Sequence, residues 1–134
     1  MRILVDTGVF SASISRRRRA RFEPQVGLMV GHQIFLATVT VAELRYGGLV
    51  ASWGEQRRER LEQSIAATTV VPVSDALLTT AAELRHACRL AGHALHEPIH
   101  ANDPWIAASA VHIGAPLLTA DAVFDDVPGL SLHR

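Results

Sequence analysis

Residues 96–100 read H-E-P-I-H, which matches the H-E-x-x-H motif of zinc protease helices. In such a helix two histidines one turn apart bind zinc, and the glutamate acts as the base. Here Pro98 lies inside the motif, where a helix would lose a hydrogen bond at a cost of about 3 kcal/mol or more. Proline also favours extended backbone at the preceding residue, Glu97. The segment therefore predicts a loop with solvated histidines. A zinc site in that loop, formed by residues 96–100 with His93 nearby, is the alternative, and elemental analysis of untagged protein tests it.

A second set of residues that could do chemistry consists of four carboxylates far apart in the chain, namely Asp6, Glu43, Asp103 and Asp121. Carboxylates gathered within a few ångströms raise one another's pKa unless a counterion neutralises them. Oxygen ligands without cysteine or histidine favour Mg²⁺ or Mn²⁺ over zinc. Such an ion lowers the pKa of bound water and offsets charge on a phosphate, so the cluster predicts metal-assisted phosphodiester hydrolysis.

Whether these carboxylates meet depends on the elements that carry them. Short, β-branched apolar runs predict strands at residues 3–5, 34–40, 68–73 and 115–121, with a possible fifth at 129–133. Apolar spacing and end signals predict helices at residues 9–14, 25–32, 41–51, 55–67, 75–92 and 102–114. Strands that alternate with helices predict an α/β fold with three layers, α/β/α, around a mostly parallel sheet of four to five strands. We expect one domain over residues 1–134.

In such a sheet the strand ends and the following helix starts share one edge, where ligands bind. Asp6 and Asp121 directly follow predicted strands, and Glu43 and Asp103 lie in first turns of predicted helices. Each acid also has a local explanation: Asp6 ends a strand, Asp121 is a turn residue, and Asp103 serves the helix dipole. Glu43 is the capping-box partner of Thr40, the predicted N-cap. Because all four acids are predicted at the same edge of the sheet, a shared functional site is favoured over four separate local roles.

Composition narrows the class of protein. With 49% hydrophobic and 19% charged residues the chain is globular, and 13 basic against 13 acidic residues leave no net charge that would indicate a partner. The single cysteine, Cys88, excludes an internal disulfide and lies on the apolar stripe of a predicted helix. No cleavable signal pattern or membrane-spanning apolar stretch is present, so we expect a cytoplasmic protein with no membrane partner.

The chain resembles the PIN domain family and, within it, the VapC toxins of bacterial toxin–antitoxin pairs. The similar segments cover essentially the whole chain and read ILVDTGVF, TVTVAELRYG, NDPWIAASAVHIGAPLLTAD and VFDDVPGL. Their combination is specific: Asp-Thr after the first strand, then S/T-x-x-E-L-x-x-G, D-x-x-I-A, T-x-D and P-G-L. The histidine-rich residues before Asp103 and the arginine run near the first helix depart from the pattern without touching the four acids.

The resemblance implies a Mg²⁺- or Mn²⁺-dependent endoribonuclease with the four acids as its catalytic and metal-binding residues. Asp6 and Asp103 would be the firmest metal ligands, Glu43 would bind metal or orient water, and Asp121 would bind a second metal or act through water. Whether one or two ions act stays open. The side chains expected to support these carboxylates are Thr7, Asn102 and Thr119.

The arginine run predicts RNA contact, because guanidinium groups bind phosphates. It comprises Arg16, Arg17, Arg18, Arg19 and Arg21. A solvated loop or an acidic protein partner explains the run equally well. Further arginines at positions 57, 58 and 60 alternate with glutamates and favour a solvated helix face.

The resemblance also implies partners: an RNA substrate, tRNA or rRNA, whose cleavage blocks translation, a cognate VapB-type antitoxin, and a second copy in a homodimer. We expect the antitoxin to contact the arginine-rich helices and the helix that carries Glu43. One alternative is a PIN-domain nuclease of RNA processing, which a small DNA-binding-type reading frame directly upstream would disfavour. Another is an inactive binding module, which would require a missing acid, and none is missing.

Overall fold

The computed structural model describes all residues from 1 to 134 and contains a four-stranded, entirely parallel sheet. The strands are β1 (Arg2–Val5), β2 (Gln33–Ala37), β3 (Thr69–Val71) and β4 (Leu117–Leu118), in the order β3-β2-β1-β4. In the centre of the sheet Leu4 pairs with Phe35 on one side and with Leu117 on the other. β1 is therefore a central strand, and the site at its carboxyl end has neighbours on both sides.

Seven helices surround the sheet. They are α1 (Thr7–Ser13), α2 (Arg16–Arg19), α3 (Glu23–Gly27), α4 (Thr38–Val50), α5 (Glu55–Ala66), α6 (Asp75–Leu90) and α7 (Asp103–Ile113). Short 3₁₀ turns lie at Ala20–Phe22, Ala94–His96, Pro98–His100 and Ala122–Phe124. None of the helices combines the length and apolar character that crossing a membrane requires.

Two apolar clusters lie on opposite faces of the sheet, because successive strand residues point to opposite sides. Ile3 and Val5 pack with helices α1, α3, α4 and α5, whereas Leu4 packs with α6 and α7. Cys88 belongs to the second cluster and is fully buried, as its place on the apolar stripe predicts. The predicted three-layer α/β/α architecture is confirmed.

Several predicted boundaries are wrong. The strand predicted at residues 34–40 ends at Ala37, which is the N-cap of α4, so Thr40 is a buried residue inside the helix rather than its cap. The Thr40–Glu43 capping box does not form, because the Thr40 hydroxyl contacts Thr7 instead. The fifth strand is reduced to a single bridge between Leu117 and Leu132.

The charged segment after α1 also differs from expectation. The arginines at 16–19 form the short helix α2, and the helix predicted at residues 25–32 is only Glu23–Gly27. Gly31 has a positive φ of 80°, which helices do not adopt, so the chain turns there into β2. The strand predicted at residues 68–73 is only Thr69–Val71 and lies at one edge of the sheet; Pro72, which cannot donate a ladder hydrogen bond, follows its last residue.

Two adjacent glycines of α4, Gly47 and Gly48, provide a test of how this helix packs against Trp53. A Cβ at Gly47 would meet nothing within 4 Å, whereas one at Gly48 would lie 3.2 Å from the Trp53 ring. We expect Gly47→Ala to raise the free energy of unfolding by about 0.5–1 kcal/mol, through helix propensity. We expect a smaller or negative change for Gly48→Ala, because Trp53 must shift. Urea denaturation measures both, and equal gains would contradict the tight contact with Trp53.

Candidate active site

The Asp6 carboxylate is held at the carboxyl end of β1, where it is also the N-cap of α1. Its two oxygens accept hydrogen bonds from the Thr7 backbone N–H at 2.8 Å and from the Thr119 hydroxyl at 2.7 Å. The residue is only 9% exposed. Burial raises the Asp6 pKa to about 6, against the lowering effect of the hydrogen bonds from Thr119 and Thr7, and the negative charges of Asp103 and Asp121 raise it further.

Thr7 connects Asp6 to Glu43, which lies on a different element. Thr7, which follows Asp6, places its hydroxyl oxygen 2.9 Å from Glu43 Oε1 and 3.0 Å from Thr40 Oγ1. The hydroxyl has one hydrogen, and a carboxylate is the stronger acceptor, so Thr7 donates to Glu43 and has Thr40 as its second partner. Glu43 is thereby positioned by the start of α1 rather than by a cap of its own helix.

The other two acids come from the start of α7 and from the segment after β4. Asp103 begins α7, and one of its oxygens lies 3.2 Å from Nδ1 of His100. Its pKa is raised, mainly by burial and also by Asp121, while His100 opposes the shift. Asp121 follows β4 and is exposed, and it accepts a hydrogen bond from the Val123 N–H.

Thr119 connects two of the four carboxylates. Its hydroxyl donates to Asp6, and the same oxygen accepts the backbone N–H of Asp121 at 3.0 Å. A single side chain at the end of β4 thus sets the position of Asp6 and of the backbone that carries Asp121. Thr119 and Thr7 therefore have the supporting contacts expected of them.

All four acids line one open cavity of about 500 Å³. Thr7 is on the wall, and Thr119 holds Asp6 from behind it. The structure does not bring Asn102 to this cavity: its side chain is exposed and makes no capping hydrogen bond to α7. The remaining lining residues, which motif reasoning did not place here, are Gly8, Arg21, Phe22, Ile106, Ala120 and Ala122.

The donor set of this cavity suits a hard divalent cation. Glu43, Asp103 and Asp121 each have one carboxylate oxygen without a protein partner. The four carboxylates are not arranged around a single ion position, since no three acidic, histidine or cysteine side chains are close enough to share an ion. All four acids are candidate ligands for such an ion, and oxygen is the only donor atom that they offer.

The H-E-P-I-H segment does not form a zinc helix. It consists of two 3₁₀ turns separated by Glu97, whose φ of −72° and ψ of 144° are extended, as the proline predicts. His93, which precedes the segment, has its Nε2 2.7 Å from the Asp125 carbonyl oxygen, and His96 Nδ1 lies 2.6 Å from the carbonyl oxygen of His93. Only His100 contacts one of the four acids, Asp103, and it does not line the acidic cavity.

The chain is similar to known proteins over most of its length. The family model of the PIN domain matches residues 3–130. Ribonuclease VapC4 of Mycobacterium tuberculosis is 34% identical, with 98% of this chain and 95% of the relative covered. Toxin FitB of Neisseria gonorrhoeae is 30% identical, with 89% of this chain and 87% of the relative covered. A chain in the crystal structure of VapBC2 from Rickettsia felis bound to a promoter DNA fragment shares the fold, with a TM-score of 0.79, 23% identity, and 99% and 98% of the two chains covered.

The raised pKa of Asp6 predicts that its carboxylate destabilises the metal-free protein at neutral pH. Below the unfolded value of 3.8 the group is protonated in both states, and above about 6 it is ionised in both. The fold therefore loses stability as pH rises between these values, by at most about 3 kcal/mol. In EDTA, we expect Asp6→Asn to gain that much stability relative to the native chain between pH 4 and pH 7, measured by urea denaturation. Exposed Asp75→Asn is the control, and a pH-independent difference for Asp6→Asn would contradict the shift.

Proposed function

This chain belongs to the PIN domain family, and from that membership and the site we propose that it is a divalent-metal-dependent endoribonuclease, the toxin of a toxin–antitoxin pair. The observation that carries the proposal is that Asp6, Glu43, Asp103 and Asp121 come from four separate parts of the chain and line one cavity at the carboxyl edge of the sheet. VapC4 is a ribonuclease by name and FitB a toxin, and both resemble this chain over most of its length.

The four carboxylates would hold Mg²⁺ or Mn²⁺ at the cavity. When bound, such an ion lowers the pKa of a water molecule and offsets the charge that develops on the phosphate. The chain's own part is to keep the ligands in place: Thr119 and the Thr7 N–H hold Asp6 and favour its charged form, while the Thr7 hydroxyl holds Glu43. Because burial opposes ionisation of Asp6, a nearby cation would also stabilise its charged form.

Arg21 is the one arginine that lines the acidic cavity. Its guanidinium lies 5.4 Å from the centre of the Phe22 ring, and both residues line the cavity. A phosphodiester at the carboxylates would therefore have a positive side chain beside it. We assign Arg21 to contact with the RNA phosphates that flank the bond to be cleaved.

The substrate that we propose is tRNA or rRNA, whose cleavage blocks translation in the cytoplasm. Sequencing the 5′ ends of cellular RNA after induced expression identifies the cleaved molecule. Cleavage confined to messenger RNA would reject this substrate class and leave the nuclease assignment intact.

Replacing an acidic ligand should abolish cleavage without unfolding the chain. We expect Asp6→Asn and Asp103→Asn each to lower Mg²⁺-dependent cleavage of RNA by more than about 100-fold, since even supporting residues of metal sites contribute 10–100-fold. Mn²⁺ binding by calorimetry should weaken in the same variants. Asp75→Asn, an exposed acid on α6, should retain activity. Full activity of both site variants, or activity that persists in EDTA, would reject the metal-dependent mechanism.

We also propose that the chain forms a homodimer and binds a VapB-type antitoxin along α4. Beyond Glu43 this helix exposes three large apolar side chains, Tyr46, Leu49 and Val50, each more than 60% exposed. Their spacing places them on adjoining turns of the helix that leads away from the acidic cavity. An antitoxin segment covering this strip would lie beside the site and obstruct access to it.

The antitoxin assignment distinguishes a toxin from a nuclease of RNA processing. If a small DNA-binding-type reading frame lies directly upstream, we expect its purified product to suppress cleavage by this chain. Leu49→Asp should weaken that suppression at least tenfold while leaving RNA cleavage unchanged, because the strip lies outside the acidic cavity. The absence of such a reading frame, together with a product of defined RNA maturation, would favour RNA processing. Analytical ultracentrifugation tests the homodimer.

A further inference from the structure

We propose that a positively charged trough, which leads from the acidic cavity across α1 to α2 and α5, binds the phosphodiester backbone of single-stranded RNA. This proposal rests on the nuclease function proposed above and names where its substrate lies. We call this surface the arginine trough, and its charged residues are Arg16, Arg17, Arg18, Arg57 and Arg60. The two arginines from α5 belong to the helix whose sequence favoured a solvated face.

The arginine trough is continuous with the acidic cavity. The cavity shares three lining residues, Thr7, Gly8 and Glu43, with a neighbouring depression of about 360 Å³. That depression extends along α1 and shares Arg17, Trp53 and Arg57 among its lining residues with an outer depression of about 530 Å³, which also includes Arg16 and Arg60. An RNA strand bound at the carboxylates can therefore continue into the trough along walls that the depressions share.

The five arginines have no carboxylate partner within 4.0 Å. The acidic residues of α5 do not line the trough, and Glu62 is instead paired with Arg45 of α4 at 2.7 Å. Arg19, which does have a partner in Glu23, is not on the trough wall. Like charges held together without counterions focus a positive potential, which attracts a polyanion.

Two contacts hold guanidinium groups of the trough in place. Arg57 lies over the Trp53 ring at 4.3 Å from its centre, and Trp53 itself packs against Gly48 of α4. Arg18 donates to the Ser11 hydroxyl oxygen at 3.1 Å. A stacked guanidinium loses less freedom on binding and keeps its N–H edge for bidentate contact with phosphate oxygens.

The order of charges along the surface favours RNA over an acidic protein segment. Acids occur only at the cavity, where a divalent cation would neutralise them, and Glu43 is the only acid that lines the neighbouring depression. An RNA strand with one phosphate at the carboxylates must place its adjacent phosphates along the walls that lead away from the acidic cavity. On the side of α1 those walls carry arginines.

Salt dependence of RNA binding tests the proposal. The probe is a fluorescent oligouridine of about 12 nucleotides, within the usual range for single-strand sites, titrated in EDTA so that nothing is cleaved. Each phosphate contact contributes about −0.7 to the slope of log K against log[salt] for single strands. We expect Arg57→Ala with Arg60→Ala to make that slope shallower by about 0.7 for each arginine removed. The matched control is Arg58→Ala with Arg89→Ala, two exposed arginines outside the trough, which should leave the slope unchanged.

The outcomes separate the trough from its alternatives. Equal changes in both double variants would indicate a general charge effect and overturn the proposal, as would an unchanged slope in Arg57→Ala with Arg60→Ala. Loss of poly-L-glutamate binding without a change for RNA would assign the surface to an acidic protein instead. Circular dichroism confirms that both variants, altered only at exposed positions, remain folded.

Cleavage in Mg²⁺ distinguishes this proposal from the nuclease assignment. With an active nuclease, we expect the trough variant to raise KM for RNA while kcat is retained, since its arginines lie outside the acidic cavity. If the native chain does not cleave RNA but the slopes differ as expected, the nuclease assignment fails and the trough stands. If the native chain cleaves RNA but the salt slope of Arg57→Ala with Arg60→Ala equals that of the native chain, only the trough proposal fails.

Discussion

The structure depends on holding a buried carboxylate at the carboxyl end of the central strand. Asp6 receives two hydrogen bonds there, from the backbone of α1 and from Thr119 beyond β4. These bonds offset part of the cost of burial, and its pKa nevertheless rises to about 6. The same side chain is the N-cap of α1, so Asp6 both contributes a carboxylate to the site and begins the helix. The neighbouring acids add repulsion that the protein alone does not neutralise, which is the physical reason to infer a cation.

The charges of the molecule are segregated, although its formal net charge is zero. Carboxylates occupy the sheet edge, and arginines from α2 and α5 occupy the adjoining trough. On α5 this separation follows from helix geometry, because residues 57 and 60 lie three apart on one face while Glu62 faces Arg45. The alternation of signs in the sequence concealed the arrangement. Counting charges along a helix is therefore less informative than sorting them by face.

Predictions from local sequence patterns were correct where a single residue rules out a competing structure. They were wrong where a contact with a distant element replaces a local hydrogen bond. Pro98 ruled out the zinc helix, and the segment is indeed two 3₁₀ turns around an extended Glu97. The Thr40–Glu43 capping box was wrong, because the hydroxyl of Thr7 provides partners for both side chains from a different element. The alternation of apolar strands with helices was sufficient to predict the layers, since each strand must be covered on both faces.

The three-layer fold, the order of its elements and the edge at which the four acids lie follow from sequence patterns, because in a parallel sheet the ends of strands and the starts of the next helices share one side. The way in which the acids are held depends on contacts between distant elements. Thr119 and Asp6 are 113 residues apart, and Thr7 and Glu43 are 36 apart, so no local pattern connects them. The tertiary structure also joined the arginines of α2 and α5 into one surface, since the neighbours of an exposed side chain depend on which helices pack together. Spacing along a chain specifies which groups share an edge or a face, whereas contacts between elements specify their distances, their burial and hence their charge.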